Sequence, residues 1–308
     1  MMNILAKTLY PKVAVRWPSG GMFYVNVYSS KPGRFLERIV FDDIDIPQRS
    51  ACCAGFELQA WRCKPFVNHL IEWLPDYALA ESELHVNHAN IYVKLQQAAA
   101  RVYTSAKYQK RGEAGEIALH AICRDYFDTI PIAPRVFYKN SSNDVVKSFD
   151  MVHARFPSTG GVELWLGESK LYTNSMAAIA DAIASVRAHL DQGFLTNEKL
   201  LLGPQISRST PHYDEILHIF KSQTSLDQFL RSSVFVIGIA SDSDALSTAT
   251  ELDDSYRSAI SAELDALASK VSSSSLPATI KVVLIYVPLL SKKRFLDEFD
   301  KKLKGLQT

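Results

Sequence analysis

The sequence predicts an α/β fold in which a mixed central sheet is flanked by helices. Residues 234–240 and 280–287 are continuous apolar runs, which are typical of strands that are buried on both faces. Between them, residues 242–275 place apolar side chains at helical spacing, and helix and strand signals alternate in the same way along much of the chain. We therefore expect helices on both faces of one sheet.

The first part of the chain predicts a smaller unit. Residues 22–28 lie between two turn signals and predict a strand of an antiparallel hairpin. Helical spacing begins at Lys64, and Pro75 is expected to end that helix. We assign residues 1–95 to an N-terminal α+β lobe and residues 96–308 to the domain that contains the sheet, although no linker marks this boundary.

Apolar periodicity and turn signals predict further elements in chain order. Helices are expected at about 81–104, 116–126, 175–190, 242–275 and 292–303, and strands at 135–138, 147–153 and 162–170.

Composition and charge exclude several classes of protein. The net charge is +1, so there is no overall basic field, and a nucleic-acid site would have to be local. The phosphate-loop pattern GxxxxGK[ST] is missing, so we do not expect ATP hydrolysis by this chain. Apolar runs are far shorter than the roughly 20 residues of a membrane span, and the first residues do not read as a secretory signal, so we expect a cytoplasmic protein without a membrane partner.

The cysteines Cys52, Cys53, Cys63 and Cys123 are expected to be reduced. The first two are adjacent and are poorly placed to bridge each other, and the sequence has no CxxC pair. Cysteines 52, 53 and 63 could be imagined as zinc ligands together with His69, but their spacing fits no usual zinc site. Buried thiols are the favoured interpretation.

A predicted hairpin at residues 147–170 carries the strongest functional signal. If its strands pair symmetrically about Thr159, Asp150 lies opposite Glu168, with Cβ atoms roughly 4.5–5.5 Å apart. Lys170 follows Glu168 by two residues and therefore lies on the same face. A bulge in the turn would shift the register by one residue and remove this arrangement.

Two facing carboxylates with a lysine beside them indicate a divalent-cation site. The carboxylates of Asp150 and Glu168 repel each other unless a cation such as Mg²⁺ lies between them. Lys170 could polarise an attacking water or stabilise charge that develops on a phosphate. The alternative is ordinary surface charge, since Glu-x-Lys triplets are common on solvated strands. Apolar neighbours on both strands favour the buried, functional interpretation.

The helix before the hairpin offers a third acid. It is apolar over most of its circumference, which predicts packing on two sides. We expect Glu116 to be partly buried and to point toward the sheet, while Glu113 lies nearer the solvated side. His120 could approach the site, although a packing role is favoured, and His153 is expected on the strand face opposite Asp150.

An acid on a helix, then an aspartate, then Glu-x-Lys on adjacent strands resembles the PD-(D/E)xK nuclease superfamily. More narrowly, the segments 72–75 (EWLP), 111–116 (RGEAGE) and 167–172 (GESKLY) resemble the nuclease-like A subunit of the Hachiman antiphage system. The likeness covers about residues 55–240. One departure is Phe149, which stands where the superfamily pattern has a proline.

The resemblance implies a PD-(D/E)xK nuclease-like core that hydrolyses phosphodiester bonds in DNA. It implies that Asp150, Glu168 and the Ser169 carbonyl bind Mg²⁺, with Mn²⁺ as a possible substitute. Lys170 would assist the attacking water, and Glu116 would complete the acidic cluster. The implied partner is a helicase-type ATPase subunit of the same defence system, which restrains the nuclease until foreign or damaged DNA is engaged.

Several residues are candidates for contacts with DNA. Lys107, Lys110 and Arg111 cluster before the acidic helix and could bind phosphates, or they could form an ordinary solvated face. Tyr172 continues the face of Glu168 and either contacts the nucleic-acid backbone or caps the strand.

Two functions remain open from the sequence. The first is a Mg²⁺-dependent DNA nuclease that acts as the effector of a defence complex. The second is a catalytically silent module that binds DNA or a helicase on a nuclease fold. The intact set of Asp150, Glu168 and Lys170 favours the first, because an inert descendant is free to lose these residues. A hydrolase of other substrates has little support, since no nucleophile–base pair is evident. The near-neutral charge predicts weak, salt-dependent DNA binding by the isolated chain.

Overall fold

The computed structural model describes residues 13–16, 22–25, 27–103, 112–133 and 148–307, the first two segments as backbone only. The strands are β1 Val13–Arg16, β2 Met22–Val25, β3 Glu37–Asp42, β4 Gln48–Cys53, β5 Phe56–Glu57, β6 Ala60–Trp61, β7 Ile130–Pro131, β8 Met151–Arg155, β9 Glu163–Tyr172, β10 Ser233–Asp242 and β11 Lys281–Leu289. The helices are α1 Cys63–Ala78, α2 Ile91–Val102, α3 Glu113–Tyr126, α4 Ser175–His189, α5 Gln192–Leu202, α6 Tyr213–Phe220, α7 Leu226–Arg231, α8 Asp244–Thr248, α9 Asp254–Ser272 and α10 Lys292–Gly305.

Seven of these strands form one mixed sheet in the order β3-β4-β11-β10-β9-β8-β7. Strands β4, β11, β10 and β9 are parallel, whereas β3 is antiparallel to β4 and β8 is antiparallel to both β9 and β7. The central strands β10 and β11 are buried along almost their whole length. The predicted α/β fold with a mixed central sheet flanked by helices is confirmed, and so is the interpretation of the two continuous apolar runs.

Strands of the seven-stranded sheet lie on both sides of the predicted domain boundary at residue 95. Strand β4 lies before this boundary, yet it pairs with β11, with Gln48 opposite Val283 and Ala51 opposite Tyr286. The predicted N-terminal lobe and the predicted second domain therefore share one sheet. The predicted hairpin near the N-terminus is formed by β1 and β2, whose backbones pair antiparallel.

Helices α3 and α4 cover opposite faces of β9. A Cβ atom on Gly115 of α3 would lie only 2.9 Å from Ser169 Oγ, so glycine allows the helix to approach the strand closely. The neighbouring side chain, Lys170, instead reaches Asp181 of α4. Because successive side chains of a strand point to opposite faces, β9 presents its even-numbered residues to α4.

Pro75 does not end the first helix, so that prediction was wrong. Proline cannot donate a hydrogen bond to the preceding turn, but α1 continues for three more residues. Trp73, Leu74 and Ala78 are completely buried in this stretch. Their packing against the core outweighs the local disruption, because burial of large apolar side chains is worth several kcal/mol, about as much as the penalty for a proline in a helix.

The other helices and strands follow the expectations unevenly. The helix expected at 81–104 is shorter, because residues 81–83 form a 3₁₀ turn and α2 begins only at Ile91. The short helices α5, α6 and α7 were not predicted. The strand expected at 135–138 lies outside the described residues.

The four cysteines are buried and unbridged, as the sequence predicts. Burial raises the pKa of Cys52 to about 12 and the pKa of Cys53 and Cys63 to about 11, which keeps these groups as thiols. In the described part of the chain, no helix combines the length and the apolar character that a membrane span requires.

Candidate active site

Strands β8 and β9 pair in the register that the symmetric hairpin predicts. Met151 lies opposite Gly167, and Arg155 lies opposite Glu163. Asp150 directly precedes β8, and its N–H donates to the Gly167 carbonyl at 2.8 Å. The predicted register is therefore confirmed for residues 151–155 of β8 and 163–167 of β9. Asp150 lies directly before the first paired residue of β8.

The carboxylate of Asp150 lies against the backbone of β9. Its Oδ2 accepts a hydrogen bond of 2.8 Å from the N–H of Ser169, the residue between Glu168 and Lys170. A carboxylate that accepts a backbone N–H is held in a fixed orientation. This contact places the aspartate beside the Glu-Ser-Lys segment, as the sequence predicts.

Glu168 and Lys170 form an ion pair on the α4 face of the sheet. Glu168 is buried, and its Oε1 lies 3.0 Å from Lys170 Nζ. Burial on its own lowers the pKa of Lys170, but the charge of Glu168 and the hydrogen bonds with Glu168 and Asp181 outweigh burial and raise it. Lys170 is therefore a cation at neutral pH.

Two side chains of α4 complete the surroundings of this pair. Asp181 Oδ2 lies 3.0 Å from Lys170 Nζ, and His189 Nδ1 lies 3.7 Å from Glu168 Oε2. Sequence analysis did not single out either residue. A usable signal existed for Asp181, because it is the sole acidic residue of α4, a helix composed mostly of small and apolar side chains.

Tyr172 lies on the same face of β9, as predicted. Its hydroxyl donates to Asp181 Oδ2 at 2.8 Å, and the hydrogen bond holds the pKa of Asp181 below its usual value. Lys292 Nζ lies 5.6 Å from the centre of the tyrosine ring. The residue thus joins the end of β9 to α4, and a contact with DNA stays a prediction.

Glu116 is buried, as predicted, but its described contact lies on the other side of the sheet. Its Oε2 accepts a hydrogen bond of 2.5 Å from the hydroxyl of Tyr77 on α1. Because α3 and α4 cover opposite faces, this contact does not bring Glu116 to Glu168, and its place in the acidic cluster stays a prediction. Glu113, expected near solvent, is also buried, because the first turn of α3 is packed on all sides.

Three basic residues before α3 are predicted to contact DNA phosphates. Lys107, Lys110 and Arg111 lie outside the described residues. Their role stays a prediction.

The donor atoms at this site suit a hard divalent cation. In the segments that the structure describes, no three His, Cys, Asp or Glu side chains converge closely enough to hold a metal ion. The predicted ligand set is smaller, with the carboxylates of Asp150 and Glu168 and the carbonyl of Ser169, all of them oxygen donors of the kind that Mg²⁺ prefers. The carboxylates of Glu168 and Asp181 are both paired with the single ammonium group of Lys170. A cation beside Glu168 would neutralise the remaining negative charge of these two carboxylates.

A second polar cluster lies on the α3 face, and it contains the two histidines that were considered for the site. His120 lies 2.7 Å from Asp76 through Nε2 and 3.0 Å from His153 through Nδ1. His153 Nδ1 lies 2.8 Å from Thr129 Oγ1, and Arg124 donates to Asp76 at 3.2 Å. All five residues are buried. Burial and the charges of His120 and Arg124 hold the pKa of His153 well below its usual value.

Comparison with known proteins gives a single kind of match. A family model described as HamA matches residues 33–303, a range that runs from before β3 into α10 and includes the hairpin, α3 and α4. No curated protein and no solved structure matches the chain.

Proposed function

The chain belongs to the HamA family of antiphage defence proteins, and from this premise we propose that it is a Mg²⁺-dependent DNA nuclease, the effector of its defence complex. One observation carries the proposal. The hairpin register and the hydrogen bond from the Ser169 N–H set the Asp150 carboxylate against Ser169, the residue that separates the buried Glu168 from the cationic Lys170 in the chain. An aspartate, a glutamate and a lysine in this arrangement match the chemistry of metal-assisted phosphodiester hydrolysis.

Each residue has a distinct role in this proposal. Asp150, Glu168 and the Ser169 carbonyl would hold the cation, which when bound polarises the scissile phosphate and lowers the pKa of water. Lys170 orients the attacking water and stabilises the negative charge that develops on the phosphate oxygens. Because its ion pairs keep it protonated, Lys170 supplies positive charge and does not act as a general base.

A helicase-type ATPase partner is part of the same proposal. The net charge of +1 supports it, because 33 acidic residues nearly balance the 34 basic ones and the chain has little overall attraction for the DNA phosphates. A partner that holds the duplex would deliver the DNA and keep the nuclease inactive until then. We expect the isolated chain to bind DNA weakly at physiological salt, and tight binding would contradict this part of the proposal.

Degradation of linear DNA by the purified chain, alone and with a Hachiman helicase-type subunit, tests the activity. We expect degradation with Mg²⁺, none with EDTA and none with Glu168→Ala. Glu163→Ala is the matched control, because Glu163 lies on the same strand but at the opposite end, paired with Arg155. This control should cleave like the wild type.

Three results separate the alternatives. Equal degradation by Glu168→Ala and the wild type would contradict the catalytic assignment. Equal degradation by Lys170→Ala would remove only the role of the lysine. A wild-type chain that binds DNA or the helicase subunit but never cleaves would support the catalytically silent module instead.

A further inference from the structure

The ammonium group of Lys170 is shared between two carboxylates from different elements. Glu168 Oε1 on β9 and Asp181 Oδ2 on α4 each lie 3.0 Å from Lys170 Nζ. We propose that Asp181 is a positioning residue. It holds the Lys170 ammonium at the site when a divalent cation binds the carboxylate of Glu168. This inference rests on the proposed nuclease function.

The orientation of Asp181 is set by two donors on one face of β9. The same oxygen that contacts Lys170 accepts the hydroxyl hydrogen of Tyr172, at 2.8 Å. Lys170 and Tyr172 are two residues apart and therefore point to the same side. The Asp181 carboxylate of α4 thus contacts two side chains of β9, and Lys170 lies between α4 and β9.

Burial differs along this row of charges. The side chain of Asp181 is 47% exposed, that of Lys170 is 18% exposed, and that of Glu168 is 7% exposed. Asp181 is therefore at the rim, where a carboxylate needs little compensation for lost water. Glu168 lies deeper, where its interaction with a cation is stronger because the local dielectric is lower.

A divalent cation and Lys170 compete for the carboxylate of Glu168, and Asp181 offers the lysine a second carboxylate. A divalent cation and Lys170 both interact with Glu168, and a cation that binds there weakens the ion pair of the lysine. A partly buried ammonium that loses its counter-charge is costly. With Asp181 present, Lys170 keeps a carboxylate partner and remains close to the reacting phosphate. Without Asp181, Lys170 would pair with Glu168 alone and oppose cation binding.

Substitution of Asp181 should leave the fold intact. The residue lies in the interior of α4 between Ala180 and Ala182, and alanine is the best helix former. Its side chain is about half exposed, so its removal leaves no large cavity in the core. Asp181→Ala is therefore a clean test of its role.

The experiment measures Mn²⁺ affinity by electron paramagnetic resonance and DNA cleavage in parallel. We expect Asp181→Ala to weaken Mn²⁺ binding by about 10-fold or more and to lower the cleavage rate by a similar factor, as is usual for groups that support a metal site from outside. Asp181→Glu should restore part of both. Glu251→Ala, which removes an exposed carboxylate elsewhere, should change neither.

The same Asp181 substitution in a variant that lacks Lys170 distinguishes a positioning role from a direct effect of the Asp181 charge on the cation. In Lys170→Met, adding Asp181→Ala should change Mn²⁺ affinity less than about twofold, because Asp181 acts through the lysine. Equal weakening with and without Lys170 would overturn the inference, and so would wild-type affinity in Asp181→Ala. A wild-type chain whose Mn²⁺ binding is missing, or is unaffected by Glu168→Gln, would overturn the proposed function and this inference with it.

Discussion

Two polar clusters lie on opposite faces of β8 and β9, and they differ in charge and in access to solvent. The α3-side cluster consists of Asp76, His120, Arg124, Thr129 and His153. The α4-side cluster consists of Asp150, Glu168, Lys170, Tyr172 and Asp181. In the first cluster, all members are buried and the carboxylate is matched by a guanidinium. In the second, one ammonium serves two carboxylates and the cluster reaches the surface.

The difference indicates which cluster suits the proposed cation site. A closed cluster whose charges match has no capacity for a further ligand, so its effect is to fix α1, α3 and β8 relative to one another. An open cluster with surplus negative charge retains the capacity to bind a cation. Histidines and acids thus meet on both faces, and the proposed cation site formed by Asp150 and Glu168 lies on the α4 face.

The largest expected effect is on stability, from Asp76→Asn in the α3-side cluster. We expect the free energy of unfolding to fall by about 3–5 kcal/mol, because Arg124 is left buried without its counter-charge. Urea unfolding measures this. The control is Glu83→Gln, which breaks the partly exposed pair with Arg101 and should cost about 1 kcal/mol or less. Equal costs for the two variants would contradict the structural role of this cluster.

The same chemical change in the α4-side cluster should have the opposite consequence. Asp150→Asn is expected to lower DNA cleavage by about 10²–10³-fold, the usual effect of removing one electrostatic contributor. Its stability should change by about 1 kcal/mol or less, since the amide oxygen still accepts the N–H of Ser169. A large loss of stability with normal cleavage per folded molecule would reverse our assignment of the two clusters.

A smaller effect is expected from pH. Burial lowers the pKa of His69 to about 4, and the pKa of His153 is also well below its usual value. Both rings stay neutral when the folded protein is acidified, whereas the unfolded chain binds protons near pH 6.5. Stability is therefore complete above that pH and falls as pH decreases, by about 1.4 kcal/mol per histidine between pH 7.5 and 5.5.

Urea unfolding at both pH values checks this expectation. His69→Gln should remove the part of the pH dependence of the unfolding free energy that comes from His69 and leave the part that comes from His153. A pH dependence that is identical in the wild type and in His69→Gln would show that His69 titrates normally in the folded protein.

Sequence analysis predicted the parts of the site that depend on local pattern. The turn symmetry predicted the register of β8 and β9, and strand alternation placed Lys170 beside Glu168. Both follow from periods of a few residues, which the chain displays directly. The central strands were equally clear, because burial on both faces requires continuous apolar runs.

The contacts between distant segments could not be predicted in this way. The position of Asp181 relative to Lys170 depends on how α4 packs on β9, and the pairing of β4 with β11 joins residues more than 200 positions apart. Neither leaves a periodic signal in one sequence. The burial of Glu113 was missed because a helix that is packed on all sides has no solvated face to identify.

The smallest expected effect comes from Tyr172→Phe. Loss of its hydrogen bond to Asp181 should lower cleavage by about two- to tenfold, since one hydrogen bond is worth about 0.5–1.5 kcal/mol. If the hydroxyl acts only through Asp181, DNA affinity remains unchanged. A salt-dependent loss of DNA affinity would instead assign the hydroxyl to a phosphate contact.

The central claim is that a divalent cation binds between the start of β8 and the second half of β9. The most direct measurement replaces Mg²⁺ with Fe²⁺ and ascorbate, so that radicals formed at the bound iron cut the nearby backbone. We predict chain cleavage near Asp150 and near residues 168–170, lost in Glu168→Gln and suppressed by excess Mg²⁺. Cuts confined to other segments, or an identical pattern in Glu168→Gln, would contradict the claim.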